Sequence, residues 1–461
     1  MDSMAVVSSA ESRPVKEHSL KLFANQTTNF WQVVRNIGWM ATEKTLRMGG
    51  SLLVGTIVVR YLGPEQFGAF SYAYAIFALF NNLSNCGLDY LVVRNIALAA
   101  NEEAEAEVLG TAFSLKALAS IVTTLTAVLY TYVVRPSDTT TVIIVTMLSV
   151  AAIAQGFDVV DFFFQAKTKS HLAVRSQLIV FVVISLVRVV AVLSKCSLLF
   201  FGFIAALEIL VSQLALALTY WISGRNLRHW NFSRTLARGL LRESWPLMIS
   251  GLLVMIYMRT DQILLGTLAT KEVVGQYSAA VKLSELWYAL PMIICASVMP
   301  RLLKHLGVAQ DIYYSRLQRL YNLMGTLSIA IAIGVSVFGR YVILLLFGAK
   351  YLDAARILSV HIWTGPFVFI GVVGGMQMIH ENLTRLMMLR SAVGAVTNIV
   401  LNILLIPHFG AIGSAFATLL AQALSSYLVD AFNRDTRHIF RMKTRALFLF
   451  WHPNQVSEVS E

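Results

Sequence analysis

Long apolar runs separated by short polar stretches follow one another along almost the whole chain. Crossing a bilayer as a helix takes about 20 apolar residues. Runs of that length number twelve, and they lie near residues 39–61, 67–92, 108–134, 141–165, 173–194, 197–222, 244–269, 274–299, 318–348, 355–379, 385–407 and 409–432. No polar segment between them is long enough to form a separate soluble domain. The pattern predicts an all-α polytopic membrane protein whose function lies inside the helical bundle.

Composition and charge agree with this prediction. Hydrophobic residues make up 57% of the chain and charged residues 13%, whereas about a quarter of the residues in a soluble domain are charged. On the predicted layout, roughly 24 Lys and Arg residues lie on the side of the amino terminus and roughly 6 on the other, which predicts that both termini are cytoplasmic. The net charge of +12 is then mostly a topology signal. A nucleic-acid partner would require a basic soluble module, so none is expected.

Motifs for catalysis are missing from the sequence. It contains no Walker A segment, no GxSxG and no HExxH, so neither ATP hydrolysis nor a common hydrolase mechanism is predicted. The three cysteines are too few and too widely spaced for a disulfide framework or a metal site. We therefore expect a protein that is not an enzyme and that has no cofactor.

Two pairs of similar sequence segments indicate an internal duplication. FGAFSYA (67–73) resembles VGQYSAA (274–280), and FGFIAAL (201–207) resembles FGAIGSA (409–415), at offsets of 207 and 208 residues. Gly68 and Gly275 in the first pair would let the chain turn and let helices approach closely. A duplicated unit of six spans begins on the same side of the membrane each time, so the repeats are parallel. The predicted organisation is a cytoplasmic tail (1–37), a six-helix bundle (38–222), a basic cytoplasmic linker (223–243), a second six-helix bundle (244–433) and a cytoplasmic tail (434–461).

Basic side chains inside the spans are candidates for function, because each costs several kcal/mol in the bilayer unless it faces water or a partner. The candidates for substrate binding are Lys44, Arg47, Lys116, Arg188, Arg259 and Lys282. Five of the six have a structural alternative. Lys44 and Arg47 are close enough to a span end to reach the interface; Lys116 and Arg188 could form buried ion pairs with Glu208 or Asp158, and Lys282 could be neutralised by Glu285 three residues later.

Acidic side chains in the spans raise the question of energy coupling. The candidates for proton coupling are Asp158, Asp161, Glu208 and Asp261. Carboxylates in an apolar environment bind protons more readily than they do in water, so such groups can couple transport to a proton gradient. Alternatively, Asp158 and Asp161 pair with Arg175 or Arg188 for a purely structural purpose.

Several segments resemble a known family. YLGPEQFGAFSYAYAI (61–76), YMRTDQILLGTLATKEVVGQYSAAVKL (257–283), LFGAKYLDAARIL (346–358) and LIPHFGAIGSAFATLLAQ (405–422) are similar to segments of the bacterial polysaccharide flippases. These export O-antigen and exopolysaccharide repeat units, and their superfamily includes the lipid II flippase and the multidrug and toxin extruders. The resemblance extends over about 40–432. It implies two six-helix bundles in a V, alternating access, a location in the cell inner membrane, and a polysaccharide polymerase and chain-length regulator as partners.

The resemblance also implies a cargo, an oligosaccharide linked to a polyprenyl pyrophosphate. Carrying a pyrophosphate across the bilayer calls for a cationic cavity, since Arg and Lys bind phosphate well. Side chains that would contact the sugars are Tyr72, Asn81, Asn82, Asn85, Tyr257, Trp287 and Tyr288. One alternative is a drug/cation antiporter of the same superfamily, for which we would expect an acidic cavity. The other is a non-transporting membrane scaffold or polymerase of polysaccharide assembly, although a polymerase usually has a larger extramembrane loop than this chain offers.

Overall fold

A computed structural model describes residues 30–303, 310–381 and 383–448, with side chains from Leu46 onward except at 300, 301 and 384. The regular structure of these residues is helical throughout. The helices of the first half are α1 (Phe30–Ser84), α2 (Asp89–Leu98), α3 (Glu102–Val134), α4 (Thr139–Ala152), α5 (Val159–Ala166), α6 (Ser170–Leu193) and α7 (Leu198–Ile222). A 3₁₀ turn, Ile153–Asp158, joins α4 to α5.

The second half of the chain contains the remaining helices. They are α8 (Arg234–Leu268), α9 (Lys271–Glu285), α10 (Ala289–Leu303), α11 (Gln310–Leu346), α12 (Leu352–His361), α13 (Thr364–His380), α14 (Thr384–Ala423), α15 (Val429–Phe432) and α16 (Arg437–Phe448). A π-helical turn, Leu424–Leu428, joins α14 to α15.

The helices account for the predicted membrane spans. Within the described ranges, 8 helical stretches are long and apolar enough to cross a membrane, or 9 if α12 and α13, which are bent by 47°, form one span. Two helices are kinked at a glycine, α1 at Gly63 and α14 at Gly410. The first arm of α1 covers the predicted run 39–61. The second arm ends at Ser84, so that the predicted run 67–92 also includes a turn and the start of α2. The arms of α14 correspond to the last two runs. The predicted all-α polytopic fold is confirmed.

The turn before the first repeated segment (67–73) lies at Gly63 rather than at Gly68. Gly63 has a φ of 71°, which side chains other than glycine rarely adopt, and Pro64 cannot continue the hydrogen bonding of the preceding turn. In the second half the corresponding break is at Thr270, whose side chain caps α9 by accepting a hydrogen bond from the Val273 amide. Each repeated segment therefore lies just after the start of a helical stretch, the second arm of α1 in one case and α9 in the other.

Gly68 and Gly275 lie where the two halves contact each other. A Cβ atom on Gly68 would overlap the backbone carbonyl of Lys271, and one on Gly275 would overlap the carbonyl of Pro64. The second arm of α1 and α9 are thus in backbone contact, as small residues allow between membrane helices. We call this end of the molecule the far end, and the opposite end, which carries the segment between α7 and α8, the linker end.

Polar contacts also join the halves at the far end. Asp138 pairs with Lys271 at 2.9 Å, the Arg135 guanidinium donates to the Gly266 carbonyl, and the Tyr351 hydroxyl donates to the Val59 carbonyl at 2.9 Å. Burial would raise the pKa of Asp138, but hydrogen bonds from Lys271 and Thr141 outweigh it and hold that pKa below its usual value. The far end is therefore held closed by both packing and charge.

The predicted linker and tail contain helical segments. Helix α8 begins at Arg234, inside the predicted linker. In the predicted tail, α16 packs against α11 and buries five residues, namely Ile439, Met442, Lys443, Ala446 and Leu447. The Lys443 ammonium lies 2.6 Å from Asp430, whose other oxygen lies 3.8 Å from Arg390. Residues 1–29 and 449–461 of the predicted tails lie outside the described residues.

Candidate functional site

A cavity of about 1040 Å³ lies between the two halves. It extends from Leu62 and Phe67 at the far end to Asp89 at the linker end. The first half supplies most of its wall, from α1, the α4–α5 connection, α6 and α7. The second half supplies a smaller set of side chains, all on α8 and α9: Arg259, Gln262, Ser278, Val281, Lys282 and Glu285.

Two of the predicted cations line the cavity as members of ion pairs. Arg188 on α6 pairs with Glu208 on α7. Arg259 on α8 pairs with Glu285 on α9 at 3.8 Å. All four side chains retain between 20% and 24% of their solvent exposure. Both pairs can therefore exchange partners with a charged ligand that enters the cavity.

Lys282 lines the cavity without such a partner. No carboxylate of the described residues lies within ion-pair distance of its ammonium, which packs against Gly55 of α1. The expected partner three residues later, Glu285, is taken by Arg259. The structural alternative for Lys282, a pair with Glu285, does not form, because helical spacing accounts only for neighbours on α9, whereas Arg259 approaches Glu285 from α8.

The remaining predicted cations have different positions. Arg47 lines the cavity, and the side chain of Lys44 lies outside the described part of the chain. Lys116 is 1% exposed and does not line the cavity. Its ammonium lies behind the wall, 2.8 Å from the Asn85 amide oxygen and 3.4 Å from Asp158. This is the buried ion pair that was the alternative for Lys116.

Three carboxylates line the cavity near its linker end. Asp158 accepts a hydrogen bond from the Gln213 amide at 2.7 Å, and Asp161 accepts one from Gln165 at 2.8 Å. Asp89, which was not among the predicted site residues, accepts one from Asn85 at 3.2 Å. Asp158 thus pairs with Lys116 rather than with Arg175 or Arg188. We call this surface the acid–amide wall, and it consists of Asn85, Asp89, Gln155, Asp158, Asp161, Phe162 and Gln213.

Asp261 is buried in the second half, away from the cavity. It is 2% exposed and accepts hydrogen bonds from the Tyr277 hydroxyl and the Gln262 amide. The Tyr277 hydroxyl lies 3.5 Å from Thr418, to which Asn398 donates at 3.3 Å. Asp261 therefore belongs to a buried polar network that connects α8, α9 and α14.

Among the side chains expected to contact sugars, only Asn85 lines the cavity in the described structure. Tyr72 is 2% exposed and packs against Gly266, and Tyr288 is hydrogen-bonded to Thr364 at 2.5 Å. The glutamine amides that face the cavity are Gln155, Gln177, Gln213 and Gln262. Each lies within a predicted span, and a polar residue at that position was the signal that could have identified it.

Residues 33–305 match the polysaccharide biosynthesis protein family, which is more than half of the chain. The chain belongs to this family. It is 31% identical over 179 residues to a probable flippase, AglR, of Haloferax volcanii. It is 23% identical over 199 residues to a probable low-salt glycan biosynthesis flippase, Agl15, of the same organism. The matches cover 38% and 42% of this chain but only 37% and 41% of the two relatives.

Solved structures share the fold over most of the chain. One is the lipid II flippase MurJ in an inward closed conformation, with a TM-score of 0.67, 12% identity and coverage of 89% of this chain and 91% of that one. Another is a multidrug resistance MATE family transporter of the MOP superfamily in an inward-facing conformation, with a TM-score of 0.64, 15% identity and coverage of 86% and 96%. The chain thus belongs to a family of polysaccharide biosynthesis proteins and has the fold of these two solved structures.

Proposed function

We propose that this protein moves a polyprenyl-pyrophosphate-linked oligosaccharide repeat unit across the cytoplasmic membrane, for a surface polysaccharide such as an O-antigen or an exopolysaccharide. The family and its probable flippases support the class of cargo. The observation that carries the proposal is Lys282, an ammonium that lines the cavity and has no carboxylate partner among the described residues. An unpaired cation inside a membrane protein raises the free energy of the protein, and a bound anion offsets this cost.

The pyrophosphate would lie between Lys282 and the two arginines that line the same cavity. Arg188 and Arg259 already contact Glu208 and Glu285, and a phosphate can replace these carboxylates because guanidinium binds both in the same bidentate geometry. Arg47 extends the basic surface along α1. Lys116 has no direct role in this proposal, because Asp158 and Asn85 separate it from the cavity, and a role for Lys44 stays a prediction.

Coupling to protons is part of the proposal. Proton uptake by Glu208 would remove the partner of Arg188 and leave that guanidinium free for phosphate. Asp158 stands in the same relation to Lys116. Asp161 in the acid–amide wall and Asp261 in the buried network of the second half are the other candidates. A dependence of transport on an imposed pH gradient, lost in Glu208→Gln, tests this step.

The direction of transport follows from the predicted topology. With the linker end in the cytoplasm, the closed far end separates the cavity from the outside. The polysaccharide polymerase and the chain-length regulator would then act on the far side, on the delivered repeat unit. They remain proposed partners.

The acid–amide wall favours a second candidate function. Three carboxylates in a cavity suit an organic cation, the cargo of a drug/cation antiporter. The two candidates make opposite demands on Lys282, since an unpaired ammonium attracts an anion and repels a cation. Lys282 therefore favours the flippase.

A reconstituted transport assay tests the proposal. Protein in liposomes is given a fluorescent, short-chain prenyl pyrophosphate carrying a disaccharide of N-acetylglucosamine, and the fraction accessible from outside is followed in time. We expect transport by the wild type, little by Lys282→Met, and normal transport by Lys350→Met, which removes an exposed lysine at the far end. Efflux of an organic cation dye with no movement of the prenyl pyrophosphate would overturn the proposal in favour of the antiporter.

A further inference from the structure

The Arg188–Glu208 ion pair and the acid–amide wall lie at different depths in the cavity. Glu208 and Gln213 both line it from α7, and at about 1.5 Å per residue they are roughly 7.5 Å apart along the helix axis. Glu208 belongs to the ion pair with Arg188, whereas Gln213 contacts Asp158 of the acid–amide wall. Arg188 and Glu208 therefore lie toward the far end, and the wall lies one to two helical turns toward the linker end. Arg47 is the cavity cation nearest the linker end, because it precedes Gly55, where Lys282 contacts α1, by eight residues or about 12 Å.

The acid–amide wall has the composition of a surface that binds hydroxyl groups. Carboxylates accept hydrogen bonds, side-chain amides both donate and accept, and a sugar hydroxyl needs both kinds of partner. Phe162 adds an apolar ring face beside them, with the Lys116 ammonium 5.0 Å from its centroid on the protein side. A flat apolar face next to such groups can contact the C–H surface of a pyranose ring.

Gln213 offers the cavity an acceptor that has no hydrogen-bond partner within the protein. The side chain is 7% exposed and lines the cavity. Its amide nitrogen donates to Asp158, but its carbonyl oxygen has no hydrogen-bond partner. A buried acceptor without a donor is unfavourable, and a ligand hydroxyl at this position would supply the donor.

The charge of the wall restricts which sugars it accepts. Lys116 offsets one of the carboxylates through its contact with Asp158. Asp89 accepts its hydrogen bond from the neutral amide of Asn85, which leaves its charge in place. A sugar that carries a carboxylate would be repelled at this surface, and repulsion of this kind is a common source of specificity.

We propose that the acid–amide wall binds the sugar part of the cargo and selects neutral or amino sugars over acidic sugars such as uronates. This inference rests on the proposed flippase function and names the substrate class of the same cavity. The cargo then spans both regions, with its pyrophosphate at Lys282 and its first sugars at the wall.

Binding to the purified full-length protein in lipid nanodiscs tests the inference. Three probes share one short prenyl chain: a pyrophosphate without sugar, one with two N-acetylglucosamine residues, and one whose second sugar is glucuronic acid. We expect the neutral disaccharide to bind at least about tenfold more tightly than the acidic one. A site whose polar groups match one ligand rejects a similar ligand that leaves those groups unmatched. Asp89→Asn and Asp158→Asn should each reduce this ratio, whereas Asp353→Asn, an exposed carboxylate on α12, should keep it.

Asp89→Asn should disturb the folded structure less than Asp158→Asn, because Asp89 is exposed and its replacement leaves the Lys116–Asp158 pair intact. Equal affinity for the two disaccharides, or a ratio that both variants leave unchanged, would overturn the inference. If the sugar-free pyrophosphate still binds in that case, the proposed function stands without it. If none of the three probes binds, the proposed function fails and the inference fails with it.

Discussion

The two halves of the molecule share a scaffold but place their charges differently. In the first half, Arg188, Glu208 and Asp158 face the cavity. In the second half, Arg259, Lys282 and Glu285 also face the cavity. This half also contains Asp430 and Lys443, which are each at most 1% exposed and pair with each other inside the bundle. The similar segments of the two halves thus contain the glycines at which helices meet, Gly68 and Gly275, whereas the charged residues of the two halves differ.

This difference gives the halves different mechanical roles. Ion pairs that face a water-filled cavity are screened and can exchange partners. A pair sealed in a bundle cannot exchange without exposing a charge to an apolar environment. We infer that the first half provides most of the binding surface and that the second half is a rigid support that presents Lys282 and Arg259 to it.

The largest effect that separates the halves should come from Lys443→Met. The substitution leaves Asp430 as a buried carboxylate with only Arg390 nearby, and breaking such a pair costs about 3–5 kcal/mol. Glu208→Gln in the first half should cost at most about 1 kcal/mol, because its pair is partly exposed. Thermal unfolding in detergent measures both, with Arg441→Met on the exposed face of α16 as the control. Equal losses of thermal stability in Lys443→Met and Glu208→Gln would contradict the proposed difference between the two halves.

A smaller loss of stability is expected from substitutions where the two repeated segments contact each other. Gly68→Ala and Gly275→Ala each place a methyl group against backbone atoms of the other half, and overpacking costs about 1–3 kcal/mol. Spin labels at Glu65→Cys and Glu272→Cys, with the native cysteines replaced by alanine, report the separation at the far end. The distance should increase in both variants and stay constant in Gly334→Ala, where a Cβ meets open space. A change in only one of the two variants would contradict a symmetric contact.

The smallest effect should come from the Asp138–Lys271 pair, which is partly exposed and contributes at most about 1 kcal/mol. Because the pKa of Asp138 is lowered in the closed far end, its contribution is complete above the usual value of about 3.9. It is lost as the pH falls through the lowered pKa. The same spin labels should therefore report a wider far end in acid for the wild type, and no acid-dependent change in Asp138→Asn. Identical titrations of the two proteins would show that the pair has no role.

The sequence predicted the scaffold because membrane burial depends on apolar length, which is local. The hydropathy runs correspond to the helices. The paired segments predicted close helix packing at Gly68 and Gly275, but not that these two glycines lie where the halves contact each other. Lys443 shows a signal that was missed: it lies on the apolar stripe of α16 with Ile439, Met442, Ala446 and Leu447, at the spacing of a buried helix face. A lysine on such a stripe predicts a buried partner rather than a solvated tail.

The site was predicted less completely because the direction in which a side chain faces depends on tertiary packing. Lys116 and Arg188 are both basic residues inside spans, yet Lys116 is covered by Asp158 whereas Arg188 reaches the cavity. Glu285 could be assigned to Lys282 by spacing, but the structure pairs it with Arg259 from another helix. The unpaired state of Lys282, on which the proposed function depends, follows from that tertiary contact.

The affinity of Lys282→Met for a sugar-free, short-chain prenyl pyrophosphate tests the central claim most directly. If Lys282 is the cation that the second half presents to the cargo, affinity should fall about tenfold or more, which corresponds to about 1.4 kcal/mol. Thermal stability should stay the same or rise, because the residue has no carboxylate partner to lose. Lys350→Met should retain wild-type affinity. Unchanged affinity in Lys282→Met, or a loss that accompanies a large drop in stability, would contradict the account.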